Sequence, residues 1–159
     1  MQKIRIFSLN LIRKIKIQLC RNGTHIDIAG LMKIVTVSSD DKLIGLINRP
    51  EVKRNHQLVI YNESKDLLDV VSFVCMSHAS VLIADDDFLK PDSAHLLENL
   101  RKLNPKLAIL FITSDPGIEL GKKISQLGIF FYGLKPLSEN ELEDSIRSVT
   151  KLKTTITQY

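Results

Sequence analysis

The chain has 159 residues, 44% of them hydrophobic and 25% charged, the composition of an ordinary globular domain with a core of its own. Two unpaired-looking cysteines, Cys20 and Cys75, exclude a zinc ribbon and a CxxC redox pair, and the scattered His25, His56, His78 and His95 offer no metal-ligand spacing. The net charge of +4 is local: residues 1–31 set Lys3, Arg5, Arg13, Lys14, Lys16 and Arg21 against Asp27 alone, so the remainder is near neutral and no nucleic acid is expected on it.

Residues 1–19 are rich in Ile, Leu and basic side chains. Ile4, Phe7, Leu11, Ile15 and Leu19 would share a helical face, whereas Ile15, Ile17 and Leu19 alternate as in a strand. No apolar run approaches the ~20 residues of a membrane span. Arg13, Lys14 and Lys16 also interrupt what would be the apolar core of a signal peptide. Three readings of residues 1–31 stand: a basic segment touching an anionic membrane or a partner, an extra element packed on the domain, or an extension upstream of a start at Met32. The last is preferred, because Met32-Lys33 opens directly into a strand. Residues 21–31, with Asn22-Gly23 and Gly30, read as a connector. A domain over 32–151 and a tail over 152–159 complete the division, and a reducing cytoplasm is the expected home.

From Met32 onward strand and helix signals alternate. Residues 33–37 (KIVTV) form a β-branched run, and Asp40 or Asp41 can cap a helix over 42–48. Residues 57–61 (QLVIY) are a second strand, and Ser64 precedes a helix with a stripe of Leu67, Leu68, Val71, Phe73 and Val74. Residues 80–84 (SVLIA) form a third, wholly apolar strand. The helix over 93–103 carries Leu96, Leu97, Leu100 and Leu103 and stops at Asn104-Pro105. Residues 107–112 (LAILFI) are a fourth strand, followed by a helix near 118–127 ended by Gly128. Residues 129–132 are the fifth strand. Ser138 then caps a last helix over 139–151, with Leu142, Ile146 and Val149 facing in. Apolar strands alternating with helices predict an α/β sandwich on a parallel sheet, here five strands in the flavodoxin-like order 2-1-3-4-5.

In that architecture ligands meet the carboxyl ends of the strands. The loop after the first strand is Ser38-Ser39-Asp40-Asp41, with no glycine and two carboxylates that would repel phosphate, which argues against a flavin. No nucleophile–base pair for small-molecule catalysis stands out, so an enzyme is not expected. Asp85 follows SVLIA, Thr113 ends LAILFIT, and Tyr132 and Lys135-Pro136 lie in FFYGLKP.

This ordered set at three strand ends resembles the receiver domains of two-component response regulators, over about residues 32–150. The resemblance implies a stand-alone signalling module of a phosphorelay, since the chain ends shortly after Lys151. Asp85 would take a phosphoryl group from a histidine kinase or phosphotransfer protein, forming an acyl phosphate. Lys135 and Thr113 would hold its oxygens. Movement of Thr113 would turn the switch aromatic Tyr132 and alter the face of helix four, strand five and helix five, which would bind a partner or form a homodimer.

The run Asp85-Asp86-Asp87 makes the acceptor a choice. Pro91 lies at the family's offset from Asp87, but that choice would put Asp85 and Asp86 at buried strand positions. Asp85 instead aligns Asp92-Ser93 with the family's Asp-Gly and puts Leu89 in place of the usual proline. The departure from the family is at strand one, where its acidic pair binds Mg²⁺ and this chain has Ser38 and Ser39. Two readings stay open. Asp40, with Asp85 and Asp87, holds a weakened Mg²⁺, or the domain is a pseudo-receiver working through protein contact without phosphorylation. Of Phe130 and Phe131, one is expected in the core and the other in an apolar patch on the output face. Cys75 is expected to be a small core hydrophobe.

Overall fold

Strand signals and helix caps resolve into a single parallel sheet in the computed structural model, which describes residues 31–156. The leader's amphipathic and membrane readings, the connector over 21–30, Cys20 and the final residues 157–159 lie outside the described residues. The strands are β1 (Met32–Val37), β2 (His56–Tyr61), β3 (Val81–Asp85), β4 (Ala108–Thr113) and β5 (Phe131–Leu134). They run parallel in the order β2-β1-β3-β4-β5, as expected. The helices are α1 (Asp41–Ile47), α2 (Pro50–Lys53), α3 (Leu67–Met76), α4 (Asp86–Leu89), α5 (Ser93–Leu103), α6 (Ile118–Ser125) and α7 (Glu139–Ile156).

Alternation along each strand divides the core in two. Val35, Val37, Leu82, Ala84, Ile109 and Phe111 face α3, α5 and α6, with Cys75 packed half-buried at the edge of this layer. Ile34, Val81, Ile83, Leu110 and Ile112 face α1, α2 and α7. Leu142, Ile146 and Val149 of α7 are buried there as expected, although that helix continues past Lys151 to Ile156.

Several boundaries and faces differ from expectation. The buried stripe of α3 is Val70, Val71 and Val74 with Leu67 beside it, while Leu68 is 70% exposed. Its cap is Asp66, which accepts from the Leu68 and Asp69 N–H groups, so Leu68 falls on the solvent side of the first turn. Phe73 packs on Tyr61 with ring centroids 4.5 Å apart. Leu103, at the last position of α5, is also exposed. Strand β5 begins at Phe131 rather than residue 129, because β4 sets its extent by pairing Leu110 with Phe131. Gly128, at φ +65°, turns the chain after α6 and leaves Ile129 in the approach to the strand. The short helices α2 and α4 are a single turn each, too brief for periodicity to reveal. Of the phenylalanine pair, Phe131 packs in the core beside Leu137 and Phe130 is exposed, as the alternation of strand residues predicts.

Candidate functional site

The carboxyl ends of β1, β3, β4 and β5 bring one acidic cluster together around one lysine. Asp85 closes β3 opposite Ile112, and its side chain caps the turn of α4 by accepting from the Asp87 N–H at 3.1 Å. Lys135, just past β5, is positioned by its N–H bond to the Thr113 carbonyl, 2.8 Å. Its Nζ lies 2.8 Å from Asp85 Oδ1, 3.0 Å from Asp40 Oδ2 and 3.1 Å from Asp87 Oδ2. Asp40 reaches it while its other oxygen caps α1 through the Lys42 and Leu43 N–H groups. Asp40, Asp85 and Asp87, the three carboxylates expected at a metal, thus converge on an ammonium.

The replaced acidic positions behave differently from each other. Ser38 is fully buried, and its hydroxyl donates to Asp85 Oδ2 at 2.5 Å while accepting from the Asp40 N–H. Ser39 faces solvent. Both oxygens of Asp85 therefore have protein partners, and the residue is 1% exposed.

Thr113 does not meet Asp85. Its Oγ1 donates to Asp86 Oδ2 at 2.7 Å, while Ser93 donates to Asp86 Oδ1 at 2.6 Å. The Lys90 ammonium stands 3.3 Å from Asp86 and 2.9 Å from Asp87, and Ser114 donates to Asp87 at 2.6 Å. Burial also fails to single out Asp85 from its neighbour. Asp85 and Asp86 are both 1% exposed, and each carboxylate is satisfied by hydroxyl and ammonium donors. Asp86 and Ser93 stand in the sequence reading without a place in the site, and Ser114 is absent from it. The available signal was the Thr113-Ser114 pair, which follows β4 where the run Asp85-Asp86-Asp87 follows β3.

These contacts set the charges of the site. The hydrogen bond from Lys135 holds the Asp40 carboxyl below its ordinary range, overcoming its partial burial. Burial alone would raise Asp87, but the donors Ser114, Lys90 and Lys135 hold its carboxyl far below that range. Burial opposes the Lys135 charge too, and the carboxylates of Asp85, Asp40 and Asp87 override it and push the ammonium well above the ordinary lysine value.

Beside the cluster, Pro116, Gly117, Ile118, Gly121, Tyr132 and Leu134 line a shallow groove of about 410 Å³ between α6 and β5. The Tyr132 ring is half-buried, with its centroid 5.6 Å from that of Phe111 and its hydroxyl toward Gly121. Its phenol is raised by burial and by the nearby carboxylates of Asp115 and Asp86. Ile118 and Leu134 are exposed along the groove, so the apolar patch of this face is theirs; Phe130 is not among its lining residues.

No protein-family model and no curated protein matches the chain. Solved structures do match. A CheY-like response regulator receiver domain protein from Methanospirillum hungatei superposes with a TM-score of 0.67 at 16% identity, covering 79% of this chain and 98% of the other. This is the receiver fold. The receiver domain from Clostridium thermocellum gives a TM-score of 0.64 at 20% identity, over 79% of this chain and 99% of its own. A putative pilus assembly-related protein from Burkholderia pseudomallei gives 0.61 at 17% identity, over 80% and 96%. Among the described residues, no helix is long and apolar enough to cross a membrane.

Proposed function

We propose that this receiver-fold domain is a signalling module that works through protein contact, with Lys135 as the resident cation of its acidic cluster. The observation that carries the reading is the convergence of Asp40, Asp85 and Asp87 on the Lys135 ammonium within 3.1 Å. A resident Mg²⁺ requires oxygen ligands free to close a near-ideal octahedron. Here each of those carboxylates directs an oxygen at an ammonium, and Ser38 spends its proton on Asp85. The donor set does not fit the metal.

Charge argues the same way. Asp40, Asp85, Asp86 and Asp87 face Lys90 and Lys135, so negative charge is already in excess. A phosphoryl group on Asp85 adds more, and each unit charge at 4 Å from a like charge costs about 4 kcal/mol near a protein surface. Lys135 offsets part of that cost, but four carboxylates already share two ammoniums. The working surface in this reading is the α6–β5–α7 face with its groove, open to a partner protein or a second copy.

A phosphorelay version keeps one observation in its favour: Asp85, a carboxylate nucleophile in that version, contacts Lys135, a cation that would hold phosphoryl oxygens. In it a histidine kinase or phosphotransfer protein supplies the phosphoryl group. One experiment divides the two. The intact protein is incubated with acetyl phosphate and Mg²⁺ and weighed. The expected result is an unchanged mass; an adduct of about 80 Da, lost in Asp85→Asn, overturns the phosphate-independent reading.

A further inference from the structure

Asp86 is a buried carboxylate that the cluster around Lys135 does not use, and it stands at the head of a hydrogen-bond chain leading to the groove. Its Oδ2 accepts from Thr113 Oγ1 at 2.7 Å. Thr113 Oγ1 in turn accepts from the Asp115 N–H at 3.0 Å. The Asp115 carboxylate then accepts from the Gly117 N–H at 2.8 Å, and Gly117 lines the groove with Ile118 and Tyr132.

The direction of this chain follows from proton counting. An ionised carboxylate only accepts, so the single hydroxyl proton of Thr113 is committed to Asp86. The oxygen lone pairs then face the Asp115 N–H, which fixes the turn over residues 113–117. Thr113 is fully buried, and Asp86 is anchored on its other oxygen by Ser93 at the start of α5. The Ser93 bond leaves the carboxylate little freedom to turn away from Thr113.

We infer that Asp86 is a positioning residue for the partner groove, setting the loop between β4 and α6 through Thr113 and Asp115. The same bond denies the Thr113 proton to any group placed on Asp85, because the hydroxyl has one proton to give. The inference rests on the α6–β5–α7 face being the working surface.

The test follows the loop amides and the tyrosine rings by NMR in the intact protein. Asp86→Asn keeps the shape of the side chain and removes the charge that fixes Thr113 as donor. In it, exchange of the Asp115 and Gly117 amides is expected to accelerate about ten-fold, the worth of one charge-assisted hydrogen bond. The Tyr132 ring signals are expected to shift, while those of Tyr61, on the far edge of the sheet, stay in place. Thr113→Val should reproduce this pattern, Thr113→Ser should restore the original one, and Asp86→Asn should add nothing further to Thr113→Val. Unchanged loop amides in Asp86→Asn, or effects that multiply in the double variant, overturn the proposal. Should Asp86→Asn not fold, equal loop exchange in Thr113→Val and Thr113→Ser overturns it. An acetyl phosphate adduct at Asp85 would defeat the phosphate-independent reading and leave this chain of bonds standing. Unchanged loop amides would do the reverse.

Discussion

Lys135 carries one positive charge and meets three carboxylates, so its removal leaves buried Asp85 without its ammonium partner. Breaking a buried pair on one side is far more damaging than never having had it. Lys135→Met is expected to lower stability by about 3 kcal/mol or more, read from urea denaturation midpoints. The pH dependence follows from the directions of the shifts. Asp40 and Asp87 titrate lower in the folded chain, so their stabilisation is complete above the unfolded carboxyl value near ~4 and is lost as pH falls through their folded values. Lys135 titrates higher, so its share is complete below the unfolded value near ~10.4 and is lost as pH rises through its folded value. Between these limits the cluster holds. Without Lys135 the folded and unfolded values of Asp40 and Asp87 lie closer together, so the stability lost on acidification should be smaller in Lys135→Met than in the parent chain. Equal losses in the two proteins would contradict this account.

At the scale of elements, short pieces matter more than their length suggests. Strand β5 is four residues long, yet it places Tyr132 beside the groove and delivers Lys135 to the cluster. Gly133 makes that possible. A Cβ there would stand 2.7 Å from Phe131 Cε1 and 2.9 Å from Leu137 Cδ2, inside van der Waals contact. Gly133→Ala is expected to cost about 1–3 kcal/mol by overpacking, measured by urea denaturation, and to displace the turn that carries Lys135. An unaltered midpoint would show that Phe131 and Leu137 give way freely. The turn α4 divides Asp85 from Asp86 in the same manner. One ends a strand and the next begins a helical turn, so adjacent carboxylates face Lys135 and Thr113 respectively.

Across the whole molecule, stability is graded from the centre of the sheet outward. Strand β3 is buried along its full length and is paired on both sides, whereas β2 and β5 are the edges. Amides of Val81, Leu82 and Ile83 are expected to exchange only through global unfolding. Those of Phe131–Leu134 should exchange through smaller openings of lower free energy. Native-state hydrogen exchange at low denaturant measures the difference, and equal opening energies would refute it. Such grading would place the groove of the proposed partner surface on the less stable edge of the sheet.

Local pattern was enough for the alternating elements. The order 2-1-3-4-5 came from the known doubly wound arrangement they fit, and the set Asp85, Thr113 and Lys135 from the resemblance to receiver domains. Strand and helix periods are properties of neighbouring residues, and a parallel α/β sheet collects its strand ends whatever the side chains are. The extent of β5, the solvent side taken by Leu68 and the single-turn helices were not legible, since pairing register and caps decide them. Nor was the pairing within the site. Asp85 with Lys135 and Ser38, and Asp86 with Thr113 and Ser93, are choices made by side-chain direction at a strand-to-helix junction. The backbone passes from extended at Asp85 to helical at Asp86, so the two carboxylates leave in different directions, and only the packed tertiary structure sets where that turn begins.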